Sequence, residues 1–221
     1  MGAIEHPPIV TVPGVPDHVL YTWLAMAVLI VLSFVATRHL ELVPRGLQNF
    51  VEVVLEQVLA LLDDVIGHAG RRYLPLIATL GLFILVSNLL GLIPGFIAPT
   101  GNLNTTAACA LIVFISYHVI GARKVGVIPY LKHFAGPMPI LAPLMVPIEL
   151  ISHLARVLSL TIRLYANIFA GDMVTWVFFS LVPVGIPIAF LGLHLGVSIL
   201  QTYIFVLLTT VYLQGAVADE H

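Results

Sequence analysis

A chain of 221 residues that is 60% hydrophobic and only 9% charged, with a mean hydropathy of +1.08, lacks the polar surface of a soluble domain, which carries roughly 25% charged residues; it reads as an integral membrane protein. A net charge of −2 leaves neither the basic footprint of a nucleic-acid binder nor a polybasic patch for anionic lipid. One cysteine, Cys109, excludes a disulfide framework, a thiolate zinc cluster and a CxxC redox pair within the chain.

The N-terminal stretch MGAIEHPPIVTVPG has no basic n-region and no arginines, so no cleaved signal or transit peptide is expected. His6 stands where an N-myristoylation motif needs Ser or Thr. The first apolar run long enough to cross ~30 Å of hydrocarbon is 19–37. Residues 46–67 differ: Gln48, Glu52, Glu56 and Asp63 share one face, with leucines and valines opposite. This is a cytoplasmic interfacial amphipathic helix. Its acidic face favours a protein neighbour over anionic lipid, or is a solvated connector. Further spans are expected at 74–98 and 103–122, then at 140–182 and 186–214. The 140–182 segment is too long for one upright helix and must tilt strongly or kink. Pro137, Pro139, Pro143 and Pro147 crowd its start, and Pro183 and Pro187 bracket the turn that follows. The fold class is an all-α membrane domain, 1–221, of about five membrane helices plus the interfacial one, the last two forming a long tilted hairpin.

Arg38, Arg45, Arg71, Arg72, Arg123, Lys124 and Lys132 fall in two connections, whereas the N-terminal tail and the loops near 99–103 and 183–187 have no Lys or Arg. By the positive-inside rule those connections are cytoplasmic, the N-terminus is outside and the C-terminus inside. The two remaining basic residues, Arg156 and Arg163, lie inside an apolar segment. A charge there costs at least ~2.5–3.5 kcal/mol, and such residues mark ion paths or functional pairs.

At 100° per residue Glu149, His153, Arg156, Arg163 and Asn167 lie within about 80° of one another, while Asp172 lies roughly 140° from Glu149. In the last helix His194, Ser198 and Gln201 share a face, with Tyr212 near it. Arg156 has Glu149 as a possible ion-pair partner. Arg163 has no acid three or four residues away, and a guanidinium with pKa above ~12 cannot neutralise itself. Its carboxylate is expected from another chain or a substrate. His118, Ser87 and Asn88 read as hydrogen-bonding glue between helices. Glu149 and His153 are spaced i, i+4, but there is no HExxH and no usable third ligand, so neither a metal nor a cofactor is expected.

The run LSLTIRLYANIFAGD and the terminal stretch HLGVSILQTYIFVLLTTVYL resemble the signature and last helix of subunit a of the F-type ATP synthase membrane sector, closely over about 145–215. The resemblance implies a non-catalytic, ion-translocating stator subunit beside a rotor ring of small two-helix, c-type subunits. It also implies b-type peripheral-stalk partners and a bacterial inner membrane. Arg163 corresponds to the arginine that faces the ring carboxylate and separates two aqueous half-channels for H+. Asn167, Asp172, His194 and Gln201 correspond to positions lining those channels or supporting the arginine, and Glu149, Ser159 and Arg156 to the polar row of the cytoplasmic half-channel. Ala166 stands where many members have glycine, and Asp172 where many have glutamate.

A secondary transporter or antiporter would also bury polar rows, but the sequence shows no inverted repeat with paired broken helices. An intramembrane hydrolase needs a nucleophile or metal site, and the chain has neither GxSxG nor HExxH.

Overall fold

The structure, a computed structural model, describes residues 11–38, 41, 43–93, 95–126, 128–130, 142–181 and 186–217. Helix α1 spans Asp17–Thr37. Pro16 holds an extended backbone ahead of it and Asp17 sits in its first turn, where a carboxylate complements the helix dipole. Trp23, Ile30, Val31 and Phe34 are exposed along it while Tyr21 and Ala25 are buried, so one side packs inward and the rest meets an apolar surrounding. The Tyr21 hydroxyl donates to the Gly95 carbonyl at 3.3 Å.

Helix α2, Leu47–Val65, is the amphipathic element. Glu52 and Glu56 are exposed and Leu62 is fully buried. It ends at Gly67, whose φ of +83° suits a residue without a Cβ. A six-residue 3₁₀ turn, His68–Tyr73, follows. Within it Arg71 Nη2 donates to Asp63 Oδ2 at 2.6 Å, and this hydrogen bond holds the Asp63 carboxyl below its ordinary value.

Helix α3 covers Leu74–Leu90. The helix expected over 74–98 is therefore shorter, because Gly91, Pro94, Gly95 and Pro99 follow in close succession. Gly95 takes a φ of +87°, and a Cβ on Gly91 would lie 2.6 Å from that of Ala98. The chain folds back on the helix end and closes in a short 3₁₀ turn, Pro99–Gly101. Helix α4, Leu103–Val125, is capped by the Asn102 side chain, which accepts from the Asn104 N–H, and stops at Gly126, φ +96°.

Helix α5 runs Ala142–Leu181, 40 residues with Pro147 inside it, and α6 runs Ile186–Val217, 32 residues. Pro143 stands at the second helical position, where its missing N–H has no intrahelical acceptor to lose. Pro137, Pro139, Lys132 and Pro183 lie outside the described residues. At 1.5 Å per residue α5 is about 60 Å long and α6 about 48 Å, both well beyond ~30 Å of hydrocarbon.

The described residues are helical throughout their regular structure, and five helices are long and apolar enough to cross a membrane. Helix α6 is the axis of the bundle: α2, α3, α4 and α5 all pack on it, while α1 packs on α3. The core joins Ile77, Ile84, Val113, Leu160, Leu164, Phe205 and Leu213. In lipid such a core is held by close packing and interhelical hydrogen bonds, because the tails are as apolar as leucine. Gly81 shows how close: a Cβ there would stand 2.7 Å from Val206 Cγ2. Lys124 Nζ donates to the Val217 carbonyl at 2.5 Å, which ties the C-terminal ends of α4 and α6 together.

Candidate functional site

Polar side chains gather at three levels along α5 and α6. Nearest the C-terminal end of α5 and the N-terminal end of α6, Asp172 Oδ1 lies 3.7 Å from His194 Nδ1. The imidazole is almost wholly buried, and the carboxylate side chain is 37% exposed, so the pair reaches from the interior to an open face. Gly171 makes room for the ring, since a Cβ there would fall 2.9 Å from its Cδ2 and Nε2. The 99–101 turn comes alongside: a Cβ on Gly101 would sit 3.7 Å from Asp172 Oδ2. Thr100 Oγ1 donates to Asn88 Oδ1 at 2.6 Å, and Asn88 Nδ2 donates to the Ser198 carbonyl at 3.3 Å. His194 Nε2, Ser198 Oγ, Ser87 Oγ and Gln201 Nε2 are buried with no protein hydrogen-bond partner among the described residues. Buried polar atoms of this kind bond to water when the protein supplies nothing.

In the middle of α5 Asn167 Nδ2 donates to Gln201 Oε1 at 2.6 Å, pinning α5 to α6. One turn away is Arg163, half-buried, whose Nη2 reaches Ser159 Oγ at 3.4 Å. Among the described residues no carboxylate lies within ion-pair distance of it. Beside it, on one arc of the helix, Ala155, Ser159, Ala166 and Ala170 are all exposed. Small side chains there let another helix approach the guanidinium closely.

Towards the other end, His153 is the hub. Its Nδ1 is 2.8 Å from the Tyr117 hydroxyl and its Nε2 is 3.3 Å from Glu149 Oε1. Arg156 does not pair with Glu149. Its guanidinium lies 5.4 Å above the Tyr212 ring, a cation–π arrangement. His118 and Tyr130 join the cluster, with ring centroids 6.0 Å apart and His118 4.9 Å from His153.

Of the residues expected from sequence, Asn167 and Gln201 meet, Asp172 and His194 meet, and Ser159 meets Arg163. Glu149 and Arg156 share a cluster but not a bond. Asn88 does join helices; Ser87 Oγ has no hydrogen-bond partner among the described residues. Tyr117, Tyr130 and Thr100 were missed by sequence reasoning. A tyrosine in a membrane helix looks like any other apolar filler until its hydroxyl is seen on His153.

The ATP synthase A chain family model matches residues 19–214. ATP synthase subunit a 1 of Pelobacter propionicus is 51% identical over 205 residues, covering 93% of this chain and 89% of that one. ATP synthase subunit a of Geobacter sulfurreducens is 48% identical over the same coverage. ATP synthase subunit a 2 of Syntrophotalea carbinolica is 50% identical over 208 residues, covering 94% and 88%.

Proposed function

This chain belongs to the ATP synthase A chain family, and on that premise we propose that Arg163 is a fixed cation opposite a carboxylate carried by a ring of small two-helix subunits, with a proton half-channel on either side. The observation that carries this reading is the lack of a carboxylate beside Arg163 among the described residues, together with the exposed small residues that flank it.

The physics runs from charge and dielectric. An ionised carboxylate in hydrocarbon is prohibitively costly, so a ring acid turns through lipid only when protonated. Beside Arg163 the ionised form is favoured, because an opposite charge lowers a carboxyl's pKa. The acid therefore gives up its proton as it arrives and takes another as it leaves. Arg163 also keeps the two paths apart, since a permanent cation repels a passing hydronium. One path runs by Asp172, His194, Ser198 and Gln201, where the unpartnered buried atoms gather. The other runs by Ser159, Arg156 and Glu149. The titratable side chains on both favour H+ as the ion carried.

One elementary charge crossing 100 mV yields ~2.3 kcal/mol, so several transfers must be summed mechanically, and ring rotation does this. The chain itself acts without catalysing a bond change. The acidic face of α2 is the surface for b-type stalk subunits, and the exposed flank of α1 meets lipid. In a bacterial inner membrane the N-terminus lies outside and the C-terminus in the cytoplasm, in keeping with the Lys and Arg asymmetry. The absence of an inverted repeat in the sequence weighs against the secondary transporter.

The test is Arg163→Ala in the assembled complex, read as ATP-driven acidification of vesicles. Pumping is expected to vanish, and Arg163→Lys is expected to restore it only in part, because a compact ammonium replaces a planar fork. Undiminished pumping by Arg163→Ala overturns the proposal.

A further inference from the structure

We infer that His153 is a one-proton station in the path between Arg163 and the cytoplasmic ends of the helices, with Tyr117 setting its tautomer and Glu149 serving as its counter-ion. The inference rests on the proposed function and assigns work to two residues, His153 and Tyr117, that family resemblance left without a role.

Geometry carries it. The imidazole is buried, and both ring nitrogens are engaged, Nδ1 by Tyr117 at 2.8 Å and Nε2 by Glu149 at 3.3 Å. The Glu149 side chain is 36% exposed and that of His153 only 10%, so the pair steps outward from interior to surface. With Glu149 ionised, a neutral imidazole accepts a hydrogen bond from the Tyr117 hydroxyl at Nδ1 and donates Nε2–H to the carboxylate. On taking up one proton it becomes an imidazolium. Both N–H groups then donate, Nε2–H still to Glu149 and the new Nδ1–H to the Tyr117 oxygen, whose own hydrogen turns away. Release of that proton restores the first state. No bond between heavy atoms changes, and one proton enters and one leaves.

Among the described residues, other charged or titratable groups around the ring limit its occupancy. Arg156 is on the same helix, His118 comes from α4, Tyr130 from residues 128–130 and Tyr212 from α6. Arg156, three positions on in the same helix and held against Tyr212, is a permanent cation near the ring, so it opposes long residence of the imidazolium. Glu149 favours it. A site balanced between a cation and an anion holds a proton briefly, which is what a path needs and a structural ion pair does not.

The test uses whole complexes in vesicles with Arg163 intact, scored first for incorporation of the chain. Passive proton conduction through the membrane sector is measured against pH on the cytoplasmic side, over the range in which imidazole titrates. In the parent complex conduction should vary across that range. His153→Gln, which keeps hydrogen bonding but holds no proton, should conduct at least fivefold less and lose the variation. Tyr117→Phe should keep conduction but shift the profile, since only the tautomer-setting hydroxyl is gone. If His153→Gln does not assemble, Tyr117→Phe decides alone: a shifted profile supports the station. Unchanged conduction and profile in an assembled His153→Gln overturns it, as does an unshifted profile in Tyr117→Phe. Either result leaves the role of Arg163 standing if Arg163→Ala still abolishes pumping, whereas pumping by Arg163→Ala removes the function on which the station depends.

Discussion

Replacing Gly171 by alanine should unseat His194 while leaving the helix intact. The added Cβ would stand 2.9 Å from Cδ2 and Nε2 of the imidazole and 3.1 Å from Cε1, against ~3.5–4.0 Å for comfortable contact between carbon atoms. The ring must therefore retreat by about half an ångström or more. It is 4% exposed, so it retreats into packed neighbours. Overpacking of this kind costs ~1–3 kcal/mol, and alanine returns up to ~1 kcal/mol of helix propensity. The expected balance is a loss of ~0–3 kcal/mol. Gly196, in the same bundle, supplies the control, because a Cβ there meets nothing within 4 Å and Gly196→Ala should be neutral or gain up to ~1 kcal/mol in the isolated chain. Unfolding of the two purified variants in detergent should differ by ~1–3 kcal/mol. Proton conduction should fall in Gly171→Ala, since the 3.7 Å approach of His194 to Asp172 is disturbed. A Gly171→Ala chain as stable as Gly196→Ala, conducting normally, would refute the close packing of that ring.

At the α2 end, the lowered carboxyl of Asp63 makes a signed prediction. A group depressed in the folded state adds stability that is present above the unfolded carboxyl range, near pH ~4, and is lost as pH falls through the folded value. Asp63→Asn should thus be less stable than the parent at neutral pH and equal to it in strong acid, the gap narrowing in high salt; a gap that grows on acidification contradicts the Arg71 hydrogen bond as its source. For the Asn167–Gln201 contact at 2.6 Å, a double-mutant cycle with leucine at each position should return a coupling of ~0.6–1.7 kcal/mol, between the average and the maximum for hydrogen bonds between membrane helices; zero coupling dismisses it. With Cys109→Ala as background, single cysteines at Val12 and Gln214 should react with an impermeant reagent from opposite membrane faces, and labelling from one face rejects the five-span arrangement.

The charged and amide residues of α5 were legible because they are expensive in an apolar run, and a helical repeat of 3.6 residues then places them on one stripe. Arg163 could be singled out by what stands three and four positions away, a purely local property. Helix ends were less legible: α3 stops at Leu90 because glycine and proline act together with the return of Ala98 onto Gly91, a contact that sequence spacing does not encode. Partnerships between helices were hidden for the same reason. Local spacing offers Arg156 to Glu149, but tertiary packing gives Glu149 to His153 and lays Arg156 on Tyr212. The hydroxyls of Tyr117 and Thr100 depend wholly on which helix or turn is brought alongside.

The length of α5 ties the two polar clusters to sideways movement. Forty residues, about 60 Å, held within a bilayer of ~30 Å hydrocarbon or ~42 Å with headgroups must tilt by about 45–60°. Asp172 and Glu149 are 23 positions apart, about 34 Å along the axis. At that tilt their separation resolves into ~17–24 Å of depth and ~25–30 Å within the membrane plane. On an upright helix the two clusters would lie one above the other, and a proton could pass between them by depth alone. On a tilted one, a proton delivered at Asp172 and collected at Glu149 must be carried laterally. In the proposed function Arg163, between them, forbids the direct route along the helix. A carrier that travels in the membrane plane satisfies both constraints, and a rotating ring of carboxylates is such a carrier.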